Sequence, residues 1–423
     1  MRESVADISS LNWKTKTVEQ VFDFYPTASY PRDKQCDSST ENEVIKYIHY
    51  GDIHTKFNII LDISKSQVPI ISKDLQNGFE LLKDGDLIIA DTSEDYDGVG
   101  KCVEVINAND SPTISGLHTL MLRPKEDDFV DGFKGYYFSS EYIRNKLLRI
   151  VTGIKVYSIN KTSLAKVKLY IPPKAEQTAI ANILSKVDET IAAVQTSIDA
   201  AERLKKSLMQ NLLTGKMKPD GTFRTPEEFY TDPKFGKVPL GWEVKKIKDV
   251  ADNLDNYRKP IKSIDRDNLN GIYPYYGAAG IVDYINDYIF DGIYVLFGED
   301  GENLLSRKVP QAFIVKGKFW VNNHAHILQI HEDYDIELIT YILEAKRYDN
   351  IVYGSAQPKI NKSDLNKIKL IIPKGKDEQK KLSERIANIE KIVLQKQKTK
   401  STLEDLKKSL MQNLLTGKIR IKN

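Results

Sequence analysis

Leu204-Lys-Lys-Ser-Leu-Met-Gln-Asn-Leu-Leu-Thr-Gly-Lys216 recurs, residue for residue, at Leu406-Lys-Lys-Ser-Leu-Met-Gln-Asn-Leu-Leu-Thr-Gly-Lys418. Chance does not supply thirteen identical residues at an offset of 202, and such a repeat is read before any single motif. Upstream, Ile159-Asn-Lys-Thr-Ser-Leu-Ala-Lys-Val-Lys-Leu-Tyr-Ile-Pro172 matches Ile360-Asn-Lys-Ser-Asp-Leu-Asn-Lys-Ile-Lys-Leu-Ile-Ile-Pro373 at 201, and Glu176-Gln177 matches Glu378-Gln379 at 202. Near the front of each half, Asn12-Trp13-Lys14 through Val21 is similar to Gly241-Trp242-Glu243 through Val250, at an offset of 229. Each half therefore opens on a tryptophan and closes on a common strand and helix. Between them lie stretches, roughly 22–158 and 251–359, that cannot be aligned. Two copies of one frame carry two different inserts, the organisation expected of a chain that reads two different things.

From Glu176 the apolar residues fall at Ile180, Leu184, Val187, Ile191, Val194, Ile198, Ala201, Leu204, Leu208 and Leu212, a coiled-coil seam with a register change near its end. The second half repeats it as Leu382, Ile386, Ile389, Val393, Lys396, Lys400, Leu403, Leu406, Leu410 and Leu414. Gly215 and Gly417 stand where helix C-caps belong, and Pro172-Pro173 and Pro373 lie just ahead of the starts. Each helix spans about 38 residues, roughly 57 Å. So narrow a stripe is not stable alone, and the simplest partner for each helix is the other. The short, turn-rich linker 217–241 favours an antiparallel pair, with the variable domains at opposite ends of a rod. Lys396 and Lys400 interrupt the seam, either as snorkelling lysines or as a basic patch facing DNA phosphate or a partner.

Composition bounds the rest. With 423 residues, 41% hydrophobic and 29% charged, the chain is long enough for two or three globular domains. The net charge of +3 does not by itself argue for nucleic acid; residues 378–423 hold twelve Lys/Arg against five Asp/Glu, which gives weak support. No apolar run reaches membrane-helix length and the N-terminus has no signal-peptide core, so a cytoplasmic protein is expected. Cys36 and Cys102, far apart and without a CxxC, indicate neither a disulfide framework nor a structural zinc site.

The inserts read as mixed strand and short helix. Val44–Asp52, Gly85–Thr92 and Gly100–Ile106 look like β-segments in the first, and Tyr273–Gly277, Ile293–Asp300 and Phe319–Leu328 in the second. No phosphate-binding loop, dinucleotide fingerprint or amino-methyltransferase motif occurs. His324, His326 and His331 look superficially like metal ligands, since an HxH on a strand sets both rings on one face. No carboxylate or cysteine stands at a ligand spacing, so a structural or DNA-contacting role is expected and no metal. Asp220, Glu227 and Glu228 lack the following lysine of a nuclease cluster.

Duplicated halves, Ile171-Pro-Pro-Lys-Ala-Glu-Gln177 opening a long helix, the Leu-Leu-Thr-Gly endings, Val238-Pro-Leu-Gly-Trp242-Glu and Gly354-Ser-Ala-Gln-Pro358 together resemble the specificity subunits of type I restriction–modification systems, over essentially the whole chain. The first half departs from that pattern: Thr152-Gly153-Ile-Lys-Val-Tyr stands where the second has Gly354-Ser-Ala-Gln-Pro, and no Pro-x-Gly precedes Trp13. The resemblance implies a non-catalytic subunit whose two target-recognition domains each read half of a bipartite, asymmetric site in double-stranded DNA, the paired helices acting as a ruler. It implies two methyltransferase subunits, which bring S-adenosylmethionine to a flipped adenine for N6 methylation. Restriction subunits, which use ATP and Mg, can join them. No cofactor is expected in this chain.

The expected fold is α+β: two mixed α/β target-recognition domains separated by two long helices that pair as an antiparallel coiled coil, with a pseudo-twofold internal repeat. Domain one covers 1–173, the central helix 174–216, the linker 217–241, domain two 242–375 and the C-terminal helix 376–423. Candidate DNA contacts lie at loop ends: Tyr50, Asp52, Thr55, Thr92 and Ser93 in domain one, and Arg258, Lys259, Tyr276, Glu299, His324, Ser355, Gln357 and Lys359 in domain two. The candidate subunit interface is Glu176, Gln177, Leu208 and Leu212 with Glu378, Gln379, Leu410 and Leu414. Rival readings are the specificity subunit of a related type II system, a coiled-coil scaffold that binds proteins and not DNA, and an enzyme with an unfamiliar site.

Overall fold

The computed structural model describes residues 12–35, 43–109, 111–125, 128–266, 268–299, 301–348 and 359–421. The chain divides into two compact units, residues 1–195 with 398–423 and residues 196–397. The division cuts both long helices, so each unit owns one end of each.

The duplicated frame is visible strand by strand. In unit 1 the strand Lys14–Thr17 pairs antiparallel with Lys168–Ile171, and Lys14 faces Ile171. In unit 2 Trp242–Lys246 pairs antiparallel with Lys369–Pro373, and Glu243 faces Ile372. The offsets of 229 and 201 read in the sequence thus land on one register. The next turn repeats it: Val18 N–H bonds Val167 O at 3.0 Å, and Ile247 N–H bonds Ile368 O at 2.9 Å. Ahead of the second strand of each pair, Asn160 and Asn361 cap the short helices Lys161–Ala165 and Lys362–Lys367 by accepting from the backbone N–H three residues on.

The inserts hang different sheets on this frame. Unit 1 holds a five-stranded sheet in the order Phe22–Tyr25, Thr119–Pro124, Leu87–Ala90, Cys102–Ile106, Ile60–Asp62, and a three-stranded sheet of Ile70–Ser72, Val44–Ile48 and Thr113–Ser115. Unit 2 holds six strands in the order Ala251–Asn253, Ala325–Ile330, Phe290–Gly298, Ala312–Val321, Asn270–Gly277, Gly280–Ile285. Leu87–Ala90 is buried at every position because both faces of its sheet are covered, which explains its unbroken apolar run. Three segments read as single strands are not. Gly85–Thr92 breaks at Asp91, between Leu87–Ala90 and Thr92–Ser93. Tyr50-Gly-Asp52 turns into a short helix, Tyr50–Thr55, and Phe319–Leu328 is two strands joined by a turn at 322–324.

The long helices run Lys174–Leu213 and Lys376–Leu414. Within each unit their segments pack antiparallel, Asp188 meeting Lys407 in unit 1 and Lys205 meeting Glu390 in unit 2. Gly215 and Gly417 take left-handed conformations, φ +66° and +68°, as the C-cap reading requires. The seam departs from expectation at one point. After Ala201 it passes to Lys205 rather than Leu204, and Leu204 and its repeat mate Leu406 are 51% and 46% exposed. Lys205 and Lys407 each reach a carboxylate on the facing helix, which lets a lysine occupy a position that spacing alone assigns to leucine. Lys396 behaves similarly, donating to Ser197 Oγ at 2.8 Å, and Lys400 pairs with Glu404. No helix among the described residues is long and apolar enough to cross a membrane.

Candidate nucleic-acid interface

In unit 1 the candidate contacts gather around the helix Tyr50–Thr55. His49 caps it, its Nδ1 accepting from Gly51 N–H at 3.1 Å. An acceptor Nδ1 cannot carry a proton, and burial, with Arg32 and His118 nearby, lowers the His49 pKa to about 4. The Tyr50 ring meets His118 edge-on at 5.3 Å and His54 at 5.8 Å between centroids. His54 Nε2 lies 3.1 Å from Thr92 O and therefore donates, leaving Nδ1 buried without a hydrogen-bond partner among the described residues. Thr92 Oγ1 bonds Asp91 at 2.7 Å and reaches His118 Nδ1 at 3.3 Å. Tyr50 and Thr92 thus belong to one cluster, together with His54 and His118, which the sequence did not single out. His118 reaches it on a left-handed residue (φ 55°) after the strand Thr113–Ser115, which pairs parallel with Val44–Ile48. A long-range pairing leaves no local signature.

The remaining unit 1 candidates face other ways. Asp52 is wholly buried and paired with Arg32 at 3.1 Å and Lys56 at 3.2 Å, so its carboxylate orients the helix and presents no surface to DNA. Thr55 bonds the Gly51 carbonyl of its own helix. Ser93 is buried and accepts from Asp95 N–H.

In unit 2 the strand ends bring six candidates close together. Arg258 Nη1 bonds Glu299 at 2.5 Å and the Ala325 carbonyl at 2.9 Å, and Nη2 lies 3.4 Å from Asp255. Glu299 N–H bonds His324 O at 2.8 Å, and Ile360 N–H, beside Lys359, bonds Glu299 O at 3.3 Å. Tyr276 O accepts from Asn322 N–H in the turn that carries His324. Lysine 259 is fixed from behind, Trp320 Nε1 donating to its carbonyl at 2.6 Å. Ser355 and Gln357 lie outside the described residues.

Beneath this rim, His326 is buried between Asp255, 2.5 Å from Nδ1, and the Ile360 carbonyl, 2.8 Å from Nε2. Both ring nitrogens face oxygen atoms. Burial raises the Asp255 carboxyl, but His326, Ile327 N–H and Arg258 outweigh it and hold the group below the ordinary carboxylate range. The HxH reading is corrected: His324 sits in the turn and only His326 on the strand. Asp255, Glu299 and His326 could together reach a cation, yet the Arg258 guanidinium already stands among the carboxylates. The group is an ion-pair network that ties the segment carrying Asp255 and Arg258 to Glu299 and to the strand carrying His326.

The subunit-interface candidates turn inward. Gln177 is buried; it accepts from Val130 N–H and donates to the Asp128 and Pro172 carbonyls. Gln379, equally buried, accepts from Asp335 N–H and donates to Pro373 O. Each glutamine therefore locks its long helix to the strand before it and to the insert. Arg420 grips Glu176 through Nε and Nη2 at 2.6 and 2.8 Å and lies over the Trp13 ring. In unit 2 Arg224 takes that place against Glu378 and Trp242, and Trp242 Nε1 also donates to Glu378 at 3.0 Å. Leu414 with Leu410 packs into the core of unit 1, and Leu212 with Leu208 into that of unit 2.

A sequence model of the type I restriction modification DNA specificity domain matches residues 10–203 and again 239–405, once for each repeat. The chain belongs to this family. It is 28% identical over 316 residues, 68% of this chain and 71% of the relative, to the type I restriction enzyme MjaVIII specificity subunit of Methanocaldococcus jannaschii. It is 26% identical over 349 residues, 80% of the chain and 79% of the relative, to the putative MjaX specificity subunit of the same organism. Among solved structures, the S subunit of a type I restriction–modification system from M. genitalium superposes with a TM-score of 0.55 at 15% identity, covering 96% of both chains. The specificity-subunit fold, two unlike domains on a duplicated frame with an antiparallel helix pair, is therefore the fold of this chain.

Proposed function

We propose that this specificity subunit recognises a bipartite, asymmetric double-stranded DNA site, one half through each unit, and does no chemistry of its own. Methyltransferase subunits bearing S-adenosylmethionine are directed to an adenine N6 in each half. Restriction subunits that use ATP and Mg are directed to the same DNA. One observation carries the reading: the frame repeats to the register of its strand pairs, while the inserts differ in sheet number, order and surface chemistry. Selection for one repeated target would have kept two like inserts. The cluster of Tyr50, Thr92 and His118 in unit 1 and that of Arg258, Glu299 and His324 in unit 2 offer different donors and acceptors to base edges.

The test is long-read methylome sequencing of a methylation-free host that expresses the chain with the methyltransferase encoded beside it. N6-methyladenine in one split motif, lost when either gene is omitted, supports the reading and gives both half-sites. A stable complex that methylates nothing refutes it.

A further inference from the structure

Just before the common strand and helix, a short stretch of the repeat keeps its length and changes its chemistry. Ile150-Val151 and Gly153 match Ile351-Val352 and Gly354 at an offset of 201, and Ile159-Asn160-Lys161 matches Ile360-Asn361-Lys362 at the same offset. The five residues between, Ile154-Lys-Val-Tyr-Ser158, thus occupy the positions of Ser355-Ala-Gln-Pro-Lys359. A hydroxyl and an amide in one half are replaced by two β-branched hydrocarbons in the other.

In unit 1 this loop is a built projection. Thr152 and Ser158 exchange backbone hydrogen bonds at 2.9 and 2.8 Å and close its neck. Gly153 turns it at φ +112°, where a Cβ would collide with the Val156 carbonyl oxygen. Its returning strand, Tyr157–Ser158, pairs with Thr92–Ser93, so the loop is continuous with the Tyr50, Thr92 and His118 cluster. Tyr157 is braced edge-on by Tyr96 at 5.2 Å. On that fixed neck Ile154 is 90% exposed and Val156 52% exposed, with Lys155 between them. Single exposed apolar residues are ordinary. Two of them, on a braced loop beside the candidate contacts, at the positions where the other repeat carries polar groups, are not explained by folding.

We propose that Ile154 and Val156 form an apolar reading tip that packs on a thymine 5-methyl group in the major groove of the half-site bound by unit 1. In that groove, hydroxyls and amides read donors and acceptors, and hydrocarbon reads only the methyl group of thymine. The inference rests on the DNA-reading function proposed above.

The test uses the complex of the full chain with its methyltransferase and the duplex carrying the motif that the wild type methylates. Each thymine is replaced in turn by uracil, which removes the methyl group and keeps every hydrogen bond. One thymine in one half-site is expected to show about fourfold weaker binding on replacement, the worth of one buried methyl. Ile154→Ala is expected to weaken binding to the thymine duplex and to abolish the difference between the two duplexes. Its melting temperature should match the wild type, since the side chain contributes almost nothing to the core. Gly153→Val, which disturbs the turn, should lose the same discrimination. Equal uracil penalties in wild type and Ile154→Ala, no penalty at any thymine, or a half-site without an A·T pair overturn the reading tip while leaving DNA recognition intact. A wild type that methylates no motif overturns DNA recognition itself.

Discussion

Asp188 and Lys407 meet at 2.6 Å between the helix segments of unit 1, and their counterparts 202 residues along, Glu390 and Lys205, meet at 2.6 Å in unit 2. A tyrosine from each insert completes the arrangement, Tyr136 donating to Asp188 and Tyr341 to Glu390, each at 2.7 Å. The insert and both helices are thus tied at one carboxylate in either unit. Burial, and then the carboxylates, push both phenols up from their ordinary values, so each tyrosine stays a donor throughout the physiological range.

Lys205→Glu should destabilise the chain by about 1 kcal/mol in urea denaturation, and the exchange Lys205→Glu with Glu390→Lys should recover most of it. These groups are about a third exposed, so solvent screening keeps the effect small. An uncorrected loss in the double variant would show that the lysine stem, not its charge, matters there.

Gln177→Glu places a carboxylate against the Asp128 and Pro172 carbonyls, both now served by the amide. The lost donors and the buried charge should cost about 2–4 kcal/mol by the same measurement. Gln379→Glu should behave alike, because Gln379 donates to Pro373 O in the same role. If either substitution is tolerated and instead weakens only methyltransferase binding, the glutamine is an interface residue after all.

Arg258→Ala strands the Glu299 and Asp255 carboxylates, and about 3 kcal/mol of stability should be lost. Arg258→Lys should recover little, because one ammonium cannot serve Glu299 and the Ala325 carbonyl while remaining near Asp255. Thermal unfolding reads the loss; methylation of the split motif should fall with it.

His49 gives a pH dependence of definite sign. Its folded-state pKa, about 4, lies below the unfolded value of 6.5. Above 6.5 it is neutral in both states and its contribution is fully present. As pH falls below that, only the unfolded chain binds the proton, and stability is lost at up to about 1.4 kcal/mol per pH unit until pH reaches 4. His49→Asn, which keeps a helix cap, should flatten the wild-type difference in urea stability between pH 7 and pH 5. An unchanged slope would assign it to other groups.

What the sequence shows plainly here is whatever repeats or follows helical spacing. The frame, both long helices and the glycine caps are legible because each rests on local chemistry or on self-similarity. Direction within the fold is not legible. Gln177 and Gln379 stand out as a matched pair, but matching shows only that a role is shared, and the carbonyls their amides serve are not visible in it. Leu204 looks like a seam residue because spacing cannot foresee that Lys205 finds Glu390. Asp52 and Arg258 carry the right chemistry for DNA, yet Asp52 is used up by Arg32 and Lys56. His118 has no local signature because the pairing of strands distant in sequence brings it to Tyr50, and His54, on the same helix as Tyr50, shows its place only through its contact with the Thr92 carbonyl.

The central claim is that one frame holds two independent readers, and a chain with two copies of one reader tests it most directly. Residues 22–158 would be replaced by a second copy of residues 251–359, and the methylome recorded in the host used for the parent. The account predicts a split motif whose two halves are the same half-site in inverted orientation, that half being one already present in the parental motif. Methylation at the parental asymmetric motif, or at a new pair of unlike halves, would contradict it.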